Sequence, residues 1–157
     1  AVRSALRDLL AMRAKEGANL KKDLQDRMDA LQEAVIMVAK QAPKTAKRHR
    51  GTLLERLKQS GLELRLDDER VLKEVALYAD RIDITEELTR LESHFGQYAD
   101  YAKSKMPVGR TLDFLSQEIN REVNTIGSKA NDPTISRLVV RMKSELEKFR
   151  EQVQNVE

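Results

Sequence analysis

The stretch VGRTLDFLSQEINREVNTIGSKANDP, from Val108 to Pro133, decides the fold. Leu112, Leu115, Ile119, Val123 and Ile126 recur at steps of three and four, the period of an α-helix with one buried stripe. The helix is expected to run from near Val108 to about Ala130. Asn131-Asp132-Pro133 then reads as a turn and a new start, with Asp132 as N-cap and Pro133 at the first helical position. Between Gln117 and Lys129, ten of thirteen residues are polar, charged or glycine. A merely solubilising face is better built from Glu, Lys, Gln, Arg and Ala. Gln117, Asn120, Asn124 and Thr125 therefore call for another reason.

Working outward, Ile135, Leu138, Val139, Met142, Leu146, Phe149 and Val153 predict a last helix after the turn. Upstream, Asp67 is expected to cap a helix whose stripe begins Leu72, Val75, Ala76, Ala79. That stripe changes phase near Asp80 to Asp83 and resumes as Ile84, Leu88, Leu91, Phe95, Tyr98, Ala102, which predicts a bend or a change of packing partner. Met106-Pro107 ends it. A shorter helix is expected from Pro43 to Ser60, stopped by Gly61. The first helix carries the narrow seam Leu6, Leu10, Leu20, Leu24, Met28, Leu31, Val35, Val38, like a coiled coil, and should stop near Gln41 ahead of Pro43. Gly17 interrupts that seam and is read as a site of close helix crossing. The fold class is all-α: about five long antiparallel helices with short loops. The expected division is an N-terminal helical hairpin over residues 1–60 and a C-terminal helical domain over 61–157.

Composition agrees. The 157 residues include no Trp and only three Tyr and three Phe, so aliphatic side chains must fill the core. Without cysteine there is no disulfide, zinc–thiolate site or thiol catalysis. No apolar run approaches the ~20 residues of a membrane span, and no signal peptide is visible, so a cytoplasmic protein without membrane association is expected. The net charge is +3 but unevenly spread. Lys44 to Lys58 holds six bases against Glu55, while Glu63 to Glu92 holds ten acids against five bases. The first segment suits a polyanion and the second suits cations, although solvated faces often look the same.

Two polar stripes flank the buried stripe of the Val108–Ala130 helix: Asp113, Gln117, Asn120, Asn124 on one side and Glu118, Glu122, Thr125, Lys129 on the other. On the preceding helix Asp83, Glu87, Arg90 and His94 share a stripe. A short loop joins the two helices, so antiparallel packing would turn these stripes toward one cleft. Asp83, Glu87, Glu118 and Glu122 are the candidate ligands for a hard divalent cation. Arg90, Arg121 or Lys129 would offset phosphoryl charge, and His94 would serve as general acid or base. Interhelix salt bridges are the plain alternative.

Three stretches carry a resemblance to the YicC family of bacterial proteins: ADRIDITEELTRLESH (Ala79 to His94), VGRTLDFLSQEINREVNTIGSK (Val108 to Lys129) and REQVQNVE (Arg150 to Glu157). AKEGANL (Ala14 to Leu20) is a weaker match, and Arg141 and Pro133-Thr134 depart from the family pattern. The chain resembles only the C-terminal part of that family. The resemblance implies a single-strand-specific endoribonuclease that depends on divalent metal (Mn²⁺ or Mg²⁺) and assembles as a homo-oligomer, a hexamer enclosing RNA. No organic cofactor is implied. His94, Glu118, Glu122 and Arg121 then become the catalytic candidates. Lys44, Lys47, Arg48, Arg50, Arg90, Arg110, Gln117, Asn120, Asn124 and Lys129 become the RNA-binding ones, because cations pair with phosphate and amides read phosphate, sugar and base edges. So few aromatics argue against extensive base stacking. The alternative is a non-catalytic RNA-binding or oligomerisation module that needs the family's N-terminal half for activity.

Overall fold

A computed structural model describes residues 2–59, 69–104 and 106–156. These residues form five helices and no strand: α1 (Val2–Gln59), α2 (Glu69–Ile82), α3 (Thr85–Tyr101), α4 (Gly109–Ala130) and α5 (Pro133–Val153). The all-α class is as expected, but two boundaries are not.

The first correction is at Pro43. The chain does not break there, and α1 continues for 58 residues, about 87 Å, so residues 2–59 are one helix rather than a hairpin. Proline removes one N–H and frees the carbonyl four residues back. Both Pro43 and Ala39 lie on the exposed face, where water can satisfy that carbonyl. Beyond Pro43 the helix is tied down by contacts distant in sequence. Thr45 Oγ1 donates to Asp132 Oδ2 at 3.1 Å, Arg48 Nη2 pairs with the same oxygen at 2.8 Å, and the His49 ring packs edge-on to Tyr78.

The second correction is at Asp83. The bend expected there is a full break between α2 and α3. Asp83 Oδ1 accepts from the Thr85 N–H at 2.9 Å and the Thr85 hydroxyl at 2.6 Å, an alternative to the helical ladder. Ile84, with only 3% of its surface exposed, is drawn into the core at the break. The breaks at Pro107 and Asn131 are found as read. Asn131 ends α4 in the left-handed region, at φ 42°, a conformation that Asn tolerates better than most side chains. The expected stop at Gly61 and cap at Asp67 lie outside the described residues.

α4 and α5 form an antiparallel hairpin across a two-residue turn. α1 runs antiparallel along α5, as three pairings show: Arg27–Glu145 at 3.1 Å, Glu33–Arg141 at 3.3 Å and Arg48–Asp132 at 2.8 Å. α3 lies antiparallel to α4 on the other side. One apolar core draws on α1, α3, α4 and α5, including Met28, Leu31, Val38, Leu91, Ile119, Ile126, Met142 and Phe149. Tyr98 meets Phe149 edge-on at 5.9 Å, and burial pushes the Tyr98 hydroxyl up to about 12.

The C-terminal residues return to the start of α4. A Cβ on Gly109 would stand 2.5 Å from the Val156 carbonyl oxygen, so only glycine lets the tail pack there. Gly17 is different. Among the described residues no other element comes within 4 Å of where its Cβ would be, so no close crossing is found there. Residues 2–19 of α1 are exposed, Leu6 and Leu10 among them, and the seam is buried only from Leu24 onward.

Candidate functional site

The antiparallel register of α3 and α4 brings the two predicted stripes together. At the Asn131 end, Lys129 Nζ donates to Glu87 Oε1 at 2.7 Å. One turn along α3, Arg90 Nη1 reaches Glu122 Oε1 at 3.3 Å and also pairs with Glu86 on its own helix. His94 lies one turn beyond Arg90 on α3. Glu118 pairs with Arg121 at 3.5 Å, and Arg121 Nε stands 4.0 Å from Glu122. The cleft is thus a ladder of alternating charge, with both interhelix acids taken out of water: Glu87 is 4% exposed and Glu122 2%.

Two polar atoms in this ladder have no partner. Glu87 Oε2 and His94 Nδ1 are buried and accept or donate no hydrogen bond among the described residues. A buried polar atom left unpaired costs about 1–3 kcal/mol, so such atoms in a folded protein call for an explanation.

The four candidate carboxylates are not gathered into one cluster among the described residues. Among the described residues, no three His, Asp or Glu side chains come close enough to hold a metal ion. Asp83 turns to Thr85, whose hydroxyl and N–H hold its carboxyl below the usual range. Glu87 is taken by Lys129, Glu122 by Arg90, and Glu118 by Arg121. The donor chemistry suits a hard cation, but the geometry as it stands does not.

The RNA-binding candidates separate into groups. Arg110, Gln117, Asn124 and Arg121 lie on the exposed side of α4, and Asn120 is half-buried. Gln117 Nε2 donates to Asp113 at 2.9 Å and Thr125 Oγ1 to the Arg121 carbonyl at 3.1 Å, so part of the unusual polarity is spent within the helix. Lys44, Lys47 and Arg50 are exposed on α1, whereas Arg48 ties α1 to Asp132. His49 Nε2 lies 3.3 Å from the Ala130 carbonyl, which brings the basic segment to the Lys129 end of the ladder. Two residues carry no strong signal in the sequence. Thr45 is obscured by its place just after Pro43, and the exposed Phe114 is traceable only from its angle to the buried stripe.

The fold and site define an all-helical protein whose paired polar stripes line one groove between neighbouring helices. The family model described as "Endoribonuclease YicC-like, C-terminal" matches residues 38–157, and the chain belongs to that family. A "Probable endoribonuclease YicC" of Clostridioides difficile (strain 630) is 44% identical over 158 residues, covering 100% of this chain and 54% of that protein. A protein of the same description from Haemophilus influenzae (strain ATCC 51907 / DSM 11121 / KW20 / Rd) is 40% identical over 152 residues, covering 97% of this chain and 52% of that protein. The chain thus spans about half the length of the curated relatives it matches. No helix among the described residues is long and apolar enough to cross a membrane.

Proposed function

We propose that this chain is the RNA-acting helical part of an endoribonuclease that cleaves single-stranded RNA. The observation that carries the reading is the row of cations Arg90, Arg121 and Lys129 held by buried or half-buried acids along the α3–α4 groove, with the His94 imidazole one turn beyond Arg90 on α3. The endoribonuclease descriptions of the relatives support it. In this reading His94 moves a proton to or from an oxygen of the scissile phosphodiester. Arg90 and Arg121 offset charge on the phosphoryl oxygens, and Glu118 and Glu122 hold those guanidinium groups in place. Mn²⁺ or Mg²⁺ is the proposed cofactor. Since the four acids are held apart by their own partners, a cation would need ligands beyond them. The proposal places the protein in the cytoplasm as a homo-oligomer.

The test is cleavage of a labelled single-stranded RNA, with a duplex as control, with and without Mn²⁺ or Mg²⁺. This chain and the full-length Clostridioides difficile relative are assayed side by side. Cleavage of the single strand by both supports the proposal, and cleavage by neither removes it. The chain's half-length coverage of its relatives favours a second reading, a binding or assembly module that needs the other half for chemistry. Cleavage by the full-length relative alone, with RNA binding by both, would establish that reading.

The basic segment supplies a separate expectation. Replacing Lys44, Lys47 and Arg50 with Gln should weaken RNA binding at every sequence and lower the salt slope by roughly one for each phosphate no longer neutralised. Fluorescence anisotropy across a salt series measures both. Arg48 is left in place, because its removal would unpair Asp132.

A further inference from the structure

We propose that Phe114 is a base-stacking residue for single-stranded RNA on the outer ridge of α4. The inference rests on the RNA reading above and adds to it a residue that touches the bases.

All six aromatic residues lie among the described residues, and Phe114 is the only one that is exposed, at 63%. Phe95, Tyr98 and Phe149 are buried, and Tyr78 and Tyr101 are half-buried. An exposed phenyl ring forgoes hydrophobic burial of about 1.5–3 kcal/mol. Its surroundings show what could cover it. At about 100° per residue, Arg110, Gln117 and Arg121 all fall within about 60° of Phe114 on the helix surface. Arg110 has no ion pair among the described residues, and the Arg121 side chain is 63% exposed. The ridge from Arg110 to Arg121 is about 16 Å long.

That arrangement is a ring between two cations, with an amide beside it and Glu118, the partner of Arg121, about 40° away on the other flank. Single-strand binders combine the same parts, cations tracking the backbone and an aromatic face taking a base. A protein partner is the competing occupant. It would call for a contiguous apolar patch with a polar rim. No other large apolar side chain of α4 is exposed, so on its own helix the ring stands among polar neighbours. The ridge also adjoins the groove. Phe114 lies one turn before Glu118 on the same side of the helix, and Arg121 belongs to both features. A base stacked on Phe114 would therefore hold the strand beside the His94 end of the ladder.

The test compares the parent chain with Phe114→Ala and Phe114→Tyr. Each is titrated with a 2′-O-methyl single strand, which resists cleavage, and with the same strand made abasic. Molecular mass is measured alongside. Phe114→Ala should weaken binding of the base-bearing strand by roughly 5- to 150-fold, leave the abasic strand and the salt slope unchanged, and keep the parent's mass. Phe114→Tyr should bind like the parent. Equal affinities of Phe114→Ala and the parent for the base-bearing strand would overturn the stacking role while leaving the RNA reading intact. Equal losses on both strands together with a changed mass would make Phe114 a protein–protein contact and overturn it as well. A parent chain that binds neither strand would remove the RNA reading, and this inference with it.

Discussion

Replacing His94 by alanine is expected to slow RNA cleavage by roughly 10²–10⁴-fold, the loss that follows when a general acid or base is removed. Stability should change little for a specific reason. The buried Nδ1 makes no hydrogen bond among the described residues, so its removal breaks none of these and relieves an unsatisfied group, partly offsetting the lost packing of the ring. A structural histidine would show the opposite pattern, with a lower melting temperature and cleavage close to the parent rate in the folded fraction. Measuring single-turnover cleavage and thermal unfolding on the same preparation separates the two. Glu122 offers no such separation. It is 2% exposed and holds Arg90, so Glu122→Gln should alter stability and activity together.

Asp132→Ala should cause the largest loss of stability. The side chain caps α5 by accepting from the Thr134 N–H at 2.8 Å and the Ile135 N–H at 3.0 Å. Its other oxygen accepts from Thr45 at 3.1 Å and Arg48 at 2.8 Å, fastening α1 to the α4–α5 turn. Losing the cap costs about 0.5–2 kcal/mol, and unpairing Thr45 and Arg48 adds to it, so a total of about 2–4 kcal/mol is expected. In a chain of this size that lowers the melting temperature by roughly 5–15 °C. Asp132 also carries a pH signature. Burial alone would raise its pKa, but the Ile135 N–H, the Thr45 hydroxyl, the Thr134 N–H and the Arg48 guanidinium outweigh burial and hold it at about 2. Because the folded value lies below the unfolded one, the stabilisation is complete above about pH 4 and is lost as pH falls toward 2. It amounts to about 2 kcal/mol. Asp132→Asn should flatten the stability profile over that window. Denaturant melts at pH 5, 3 and 2 measure it, and a parent profile unchanged between pH 4 and 2 would contradict the assignment.

The sequence by itself determined everything that depends on near neighbours. The stripe of α4, the Asn131 turn, the Asp132 cap and the Pro107 stop are set by residues within a turn or two, because helical periodicity and capping are local properties. The facing of Asp83–His94 and Glu118–Lys129 was also legible, since a short loop between two amphipathic helices leaves antiparallel packing as the simple solution. Pro43 was misread because its local cost is offset from far away, by an exposed carbonyl that water can reach and by bonds from Thr45 and Arg48 to Asp132. The partners of the four carboxylates were not legible for a related reason. Spacing puts acids on a face but does not say which cation sits opposite each, and the register of α3 on α4 gave Glu87 to Lys129 and Glu122 to Arg90. Only the tertiary structure decided that His94 keeps a nitrogen unpaired among the described residues. Satisfaction of a buried polar atom is a property of everything packed around it, and no stretch of sequence contains that surrounding.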